Sequence, residues 1–193
     1  AGINLSQVDG DMVWGFKHVG FNGGPSVMFP FGKDKKWSAT MELLFSQEGS
    51  YEKNPEVNST GMQKPYYKLN LDYVQIPLMI HYKDKDIIAG GLGLSYGQLV
   101  NVKEIQHGIR TETNLQGPYT KGDLQGLLDI RLRLYKRLWF DFRYSYSFLK
   151  IRTRYFDNTF NQWTRDQYNN VITLRLSYIF NEPLPFKEKK KVK

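Results

Sequence analysis

The chain has no cysteine, only three histidines, and no apolar run long enough to cross a membrane as a helix. Lack of cysteine excludes disulfides but leaves the compartment open, because an oxidising one permits such bonds without requiring them. His18, His81 and His107 stand far apart with no cysteine to join them, so no metal and no cofactor are expected. None is spaced with a serine or an acid in the manner of an activated nucleophile, and the chain is not expected to be an enzyme. Helical i, i+3, i+4, i+7 spacing is scarce as well. The net charge of +8 lacks the stripe that nucleic acid requires: residues 187–193 hold five lysines against Glu188, and much of the other charge stands singly. Nucleic acid is therefore not expected as a partner. A negative mean hydropathy does not exclude a membrane protein, since a barrel strand alternates lipid-facing and lumen-facing residues and any window average cancels.

What is present is alternation with period two, rich in tyrosine (13) and phenylalanine (12). In residues 138–148, Leu138, Phe140, Phe142, Tyr144, Tyr146 and Phe148 share one face. Trp139, Asp141, Arg143, Ser145 and Ser147 share the other. The same pattern recurs in residues 1–5, 21–31, 37–46, 73–82, 88–96, 128–134 and 172–180, giving eight strands. Short charged connections at residues 32–35, 83–85 and 135–137 alternate strictly with long ones at 6–19, 52–65, 102–122 and 152–167. That order predicts an all-β fold: an eight-stranded antiparallel up-and-down transmembrane β-barrel, long loops at one rim and short turns at the other. Both termini then fall on the short-turn side, the periplasm in an outer-membrane barrel. Residues 1–180 form the barrel domain, and 181–193, with two prolines and a lysine run, a short disordered periplasmic tail. Ala1 to Leu5 already reads as strand, so any export signal lies outside this numbering. Pro25, Pro30 and Pro77 fall inside strands of a wall with no edge, where bulges or fraying are expected. Glycines such as Gly91 and Gly93 are expected to leave room for larger lumen side chains.

The stretches Gly2-Ile3-Asn4-Leu5-Ser6, Glu42-Leu43-Leu44-Phe45-Ser46-Gln47-Glu48-Gly49, Tyr73-Val74-Gln75-Ile76-Pro77-Leu78, Gly90-Gly91-Leu92-Gly93-Leu94 and the closing residues 174–180 resemble the PorT-like outer-membrane β-barrel proteins of Bacteroidota. The resemblance implies integral outer-membrane location, and some members of that family serve type IX protein secretion. Tyr178 and Phe180 resemble the terminal aromatic signal read by the barrel-assembly machinery, here followed by the tail.

The polar faces carry Glu42, Gln75, Asp129, Arg131, Arg133, Asp141, Arg143 and Arg175. An eight-stranded barrel is just wide enough for side chains to fill, so these predict an ion-paired plug. Four arginines against three acids leave a positive excess for water or Gln75 to satisfy. Trp14, Phe16, Tyr155, Phe156, Phe160 and Trp163 make the long loops aromatic. They are candidates for docking another outer-membrane or periplasmic protein, or for an aromatic girdle against outer-membrane lipid. The functional expectation is a non-catalytic structural or accessory subunit of an outer-membrane assembly. The alternatives are a soluble lipocalin-like barrel for a small apolar ligand, with Phe140, Phe142, Tyr144 and Tyr146 turned inward, and a lipid-modifying outer-membrane enzyme.

Overall fold

The computed structural model describes residues 1–52, 67–106, 109–111, 117–158 and 161–180. Its strands close a ring of eight. β1 (Gly2–Asp9) pairs with β2 (His18–Gly23), β2 with β5 (Leu44–Glu52), β5 with β6 (Tyr67–Asp84), and β6 with β7 (Ile88–Gln106). The ring continues through β9 (Gly122–Tyr135), β10 (Leu138–Ser147) and β12 (Asn161–Tyr178), which returns to β1. Every ladder is antiparallel, and around the ring of eight the backbone bonds are made from strand to strand inside the wall, as lipid demands. β3 (Ser26–Phe31) and β4 (Trp37–Glu42) prolong β2 and β5 toward the short-turn rim in the same register, and β4 also pairs with β6.

The alternation sets inside and outside. Val74, Ile76, Leu78, Ile80 and Tyr82 of β6 are exposed, while Gln75, Met79 and His81 between them are buried. Phe142 is 39% exposed and its neighbour Asp141 only 1%. The apolar face is therefore the outer one, which overturns the inward-facing aromatics of a lipocalin-like barrel. About nine residues at ~3.3 Å each, tilted ~40°, give a belt about 23 Å tall, close to the apolar band of outer-membrane barrels.

Three of the long connections expected from sequence are partly strand. β6 begins at Tyr67 and β7 runs to Gln106, where β8 (Ile109–Thr111) pairs with it. β11 (Arg152–Asn158) forms a hairpin with the first part of β12, and β1 and β2 reach Asp9 and His18. Alternation breaks at a register shift between Asp72 and Tyr73, opposite Leu99 to Asn101. Inward residues of β7 are odd up to Leu99 and even from Val102 to Glu104. Beyond that bulge β6 and β7 turn mainly polar residues outward, and Gln47, Asp72 and Asn101 are hydrogen-bonded on the outer surface at 3.1 and 2.7 Å. The wall thus continues past the apolar belt.

The prolines find three different solutions. Pro25 sits in the gap between β2 and β3. The Lys83 N–H donates to the Lys36 oxygen, a parity that sets Pro77 opposite Glu42 without an N–H to give, and β4 ends there. Pro30 lies in β3, whose other side has no strand beside it among the described residues, so here the wall does have an edge. At the short turns, Lys85 and Asp86 both adopt positive φ (49° and 56°), and the Ile87 N–H closes on the Asp84 oxygen at 3.2 Å. Such a pair of left-handed residues matches the strand twist of a two-residue hairpin. The expected tail, 181–193, lies outside the described residues.

Candidate functional site in the barrel lumen

The lumen is filled in three tiers. Nearest the short turns, alternation on β4, β9, β10 and β12 aims Glu42, Asp129, Arg131, Asp141, Arg143 and Arg175 inward, all buried. Glu42 is the hub. It accepts Arg143 Nη1 and Nη2 at 2.8 and 3.1 Å, Arg175 Nη1 and Nη2 at 3.0 and 2.9 Å, and Arg131 Nη2 at 3.1 Å. Asp129 Oδ2 accepts Arg131 Nε and Arg143 Nη2, both at 3.2 Å, and Asp141 Oδ2 accepts Arg175 Nε at 3.1 Å and the Ser177 hydroxyl. Paired, charge-assisted contacts of this kind are the condition for burying ions at all.

Two of the expected members are elsewhere. Arg133 sits at the short-turn rim, where it donates to the backbone oxygens of Asp86 (2.6 Å) and Lys136 (2.5 Å), with its guanidinium 4.6 Å above the Trp139 ring. The turn carbonyls and the indole draw it out of the lumen. Three arginines therefore face three acids, and the positive excess expected from the strand pattern is absent from this tier. Gln75 belongs one tier further up, donating to Glu48 at 2.7 Å.

That middle tier is acid with neutral donors. Glu48 also accepts Ser46 Oγ (3.0 Å) and Gln125 Nε2 (3.0 Å). Asp123 accepts Gln125 (2.8 Å), Ser147 (2.8 Å) and Asn169 (2.9 Å). The third tier, past the bulge, is an apolar core of Val8, Leu69, Leu71, Leu99, Val102 and Ile151 with Tyr67, Tyr73 and Tyr119. Set in it, Arg152 donates to Glu104 at 3.0 and 3.2 Å and to the Tyr119 hydroxyl at 2.6 Å. Burial alone would push Glu104 up. The Arg152 charge and hydrogen bonds from Gln106 and Tyr119 more than reverse this and hold it below the usual carboxylate range. Of these two tiers only Gln75 is among the expected lumen residues: Glu48, Asp123, Gln125 and Asn169 lie just beyond the strands read from alternation, and Glu104 and Arg152 lie in the expected long connections.

His81 also departs from expectation. Topology gives it the neighbours that sequence spacing does not: Asp129 Oδ2 at 3.0 Å from Nε2, and Thr40 Oγ1 at 3.3 Å from Nδ1. Gly91 makes the space, since a Cβ there would meet the ring at 2.3 Å. The pair is buried beneath a cavity of about 50 Å³ at the short-turn rim, bordered by Met28, Lys35, Lys83, Arg131 and Trp139. The cavity has the ion tier as its floor. Among the described residues no cluster suited to a metal occurs.

The loop aromatics divide. Trp14 and Tyr155 are 82% and 81% exposed, Phe16 and Trp163 half-buried, all beyond the apolar belt. Tyr155, Phe156 and Trp163 belong to the β11–β12 hairpin rather than to a loop. Phe160 lies outside the described residues. Tyr178 and Phe180 are exposed at the short-turn end with their rings 5.1 Å apart, edge to face.

A closed antiparallel ring with an apolar belt outside and a paired, filled interior is a transmembrane β-barrel. The chain belongs to the outer membrane protein beta-barrel domain family, whose profile matches residues 1–152, and it is an outer-membrane protein. No curated protein and no solved structure matches it.

Proposed function

We propose that this barrel is a non-catalytic, PorT-like structural or accessory subunit of an outer-membrane assembly, and that the assembly serves type IX protein secretion in a member of the Bacteroidota. The observation that carries the reading is the filled lumen. With three arginines neutralised by three acids below and an apolar core above, the described side chains close the bore to a small solute, and the cavity at the short-turn rim ends on the ion tier. What is left to act is surface. The wall past the apolar belt presents Trp14 and Tyr155, aromatic anchors of the kind that dominate protein interfaces. The short-turn rim and both chain ends face the periplasm in this reading, and lipid and the barrel-assembly machinery are its obligatory partners. A lipid-modifying enzyme would need a histidine within reach of the bilayer, whereas both described histidines are buried inside the wall, His81 between Asp129 and Thr40 and His18 between Ser6 and Asn70. The test is affinity purification from native outer membranes, comparing the wild-type chain with Trp14→Ala/Tyr155→Ala. Co-purification of the same secretion proteins in each preparation, reduced in the double variant, is the expected result. A chain recovered alone, or one that hydrolyses or acylates lipid in vesicles, overturns it.

A further inference from the structure

β1 occupies a lane one strand wide. Its even residues pair with β2 on one side, Gly2 opposite Asn22, Asn4 opposite Gly20 and Ser6 opposite His18. On the other side it pairs with β12, where Ala1 and Leu176 exchange both backbone bonds at 2.9 and 3.0 Å. The two walls of this lane do not stop at Ala1. β3 carries one of them on from Ser26 to Phe31, and β12 carries the other on to Tyr178. Among the described residues no ladder joins β3 to β12.

The Leu43 N–H donates to the Pro25 oxygen, and the ladder from there to Phe31 opposite Trp37 is continuous. Residues 25, 27, 29 and 31 therefore direct their backbone groups at β4, and Ser26, Met28 and Pro30 direct theirs into the lane. Pro30 is tolerated because its missing N–H falls on this side. Nearly all of β3 is exposed, Met28 alone being half-buried, although it lies at the level of the apolar belt, beside Met41 and Leu78. Unpaired N–H and C=O groups are costly there.

We propose that the lane is filled by one further extended segment of this same polypeptide, continuing β1 upstream of Ala1 and antiparallel to both β3 and β12. The existing registers fix its fit. The third and fifth residues before Ala1 come opposite Ser26 and Met28, and the second comes opposite Tyr178. Outward positions, in line with Ile3 and Leu5, take apolar residues. Inward positions, in line with Asn4 and Ser6, roof the cavity beside Met28 and Arg131. A second barrel cannot supply the strand, because its edge arrives backed by a neighbouring strand and the lane admits one. A lipid acyl chain covers apolar surface but satisfies no backbone group.

The test is backbone amide exchange by NMR in micelles, on residues 1–193 and on the chain with the residues encoded upstream. In residues 1–193 the amides of Ser26, Met28 and Tyr178 should exchange at least about 100-fold faster than those of Val27 and Phe29, and in the longer chain this gap should close. Val27→Cys should also form a disulfide with a cysteine four residues before Ala1 and not with one five before. Equal protection without the upstream residues, no gain with them, or protection that follows dimerisation or added phospholipid overturns the proposal.

Discussion

Glu42 serves three guanidinium groups at once, and the consequence of changing it differs from that of changing its neighbours. Glu42→Gln keeps the shape but takes the charge out of five hydrogen bonds to three arginines at once, and uncompensated buried charge costs about 3–5 kcal/mol. Asp141→Asn removes one acid as well, but it touches only the Arg175 hydrogen bond at 3.1 Å and an ion pair with Arg131 at 3.7 Å, and keeps the approach of Ser177. The heat-resistant fast-migrating band on a denaturing gel should therefore be lost at much lower temperature for Glu42→Gln than for Asp141→Asn. Equal thermal profiles would show that Glu42 is no hub. Outside the membrane, Asp11 behaves differently. Burial pushes its carboxyl up to about 6, against the Val13 N–H and the Arg154 and Arg152 charges, which act to lower it. An acid raised on folding stabilises fully below its unfolded value, near 3.8, and loses that contribution as pH rises through 6, here about 2–3 kcal/mol. Residues 12–17 should thus show better amide protection at pH 5 than at pH 8, after correction for intrinsic rates. In Asp11→Asn the difference should vanish. Glu104, held low, has the opposite sign: its contribution is present above its unfolded value, near 4.5, and is lost as pH falls below it.

Within a strand, adjacent positions answer to different solvents. Phe142 faces lipid near the middle of β10, where arginine costs about 2–4 kcal/mol, while Asp141 faces the lumen. Phe142→Arg should lower the yield of assembled protein in membranes far more than Asp141→Asn, and equal yields would contradict the assignment of faces. Alternation makes the two faces legible, with the eight-stranded ring, the short turns and the arginines and acids of the ion tier, but it leaves open which face meets lipid; the burial of Asp141 beside the exposed Phe142 decides that. The bulge opposite Asp72 and Tyr73 inverts the parity of β7, so Glu104 and Val102 looked like loop. Arg133 keeps the right parity but is captured by turn carbonyls, a contact that depends on the path of the Asp84–Ile87 turn. His81 meets Asp129 only over Gly91 of the strand between them, 48 positions along the chain.

For the whole molecule, the filled lumen predicts electrical silence. Purified protein in planar bilayers should show no sustained conductance, because the ion tier closes the bore and the apolar core above it gives ions no hydration. Steady conductance in the wild-type protein would contradict the packing described and would move the function from scaffold to pore. Arg131→Glu with Arg143→Glu puts two more acids beside Glu42 and Asp129, and the expected outcome is failed assembly rather than an open channel.

The hub also imposes an order in time. Glu42 sits early in the chain, and its three cations come 89, 101 and 133 positions later. A barrel laid down strand by strand would carry that carboxylate without any counterion until β9 came in, and without the full set until β12 did. Partial rings are thus penalised twice, by open edges and by unneutralised charge, and the balance is reached only in one concerted closing step. Assembly of this chain should be slow to commit and, once β12 meets β1, very slow to reverse.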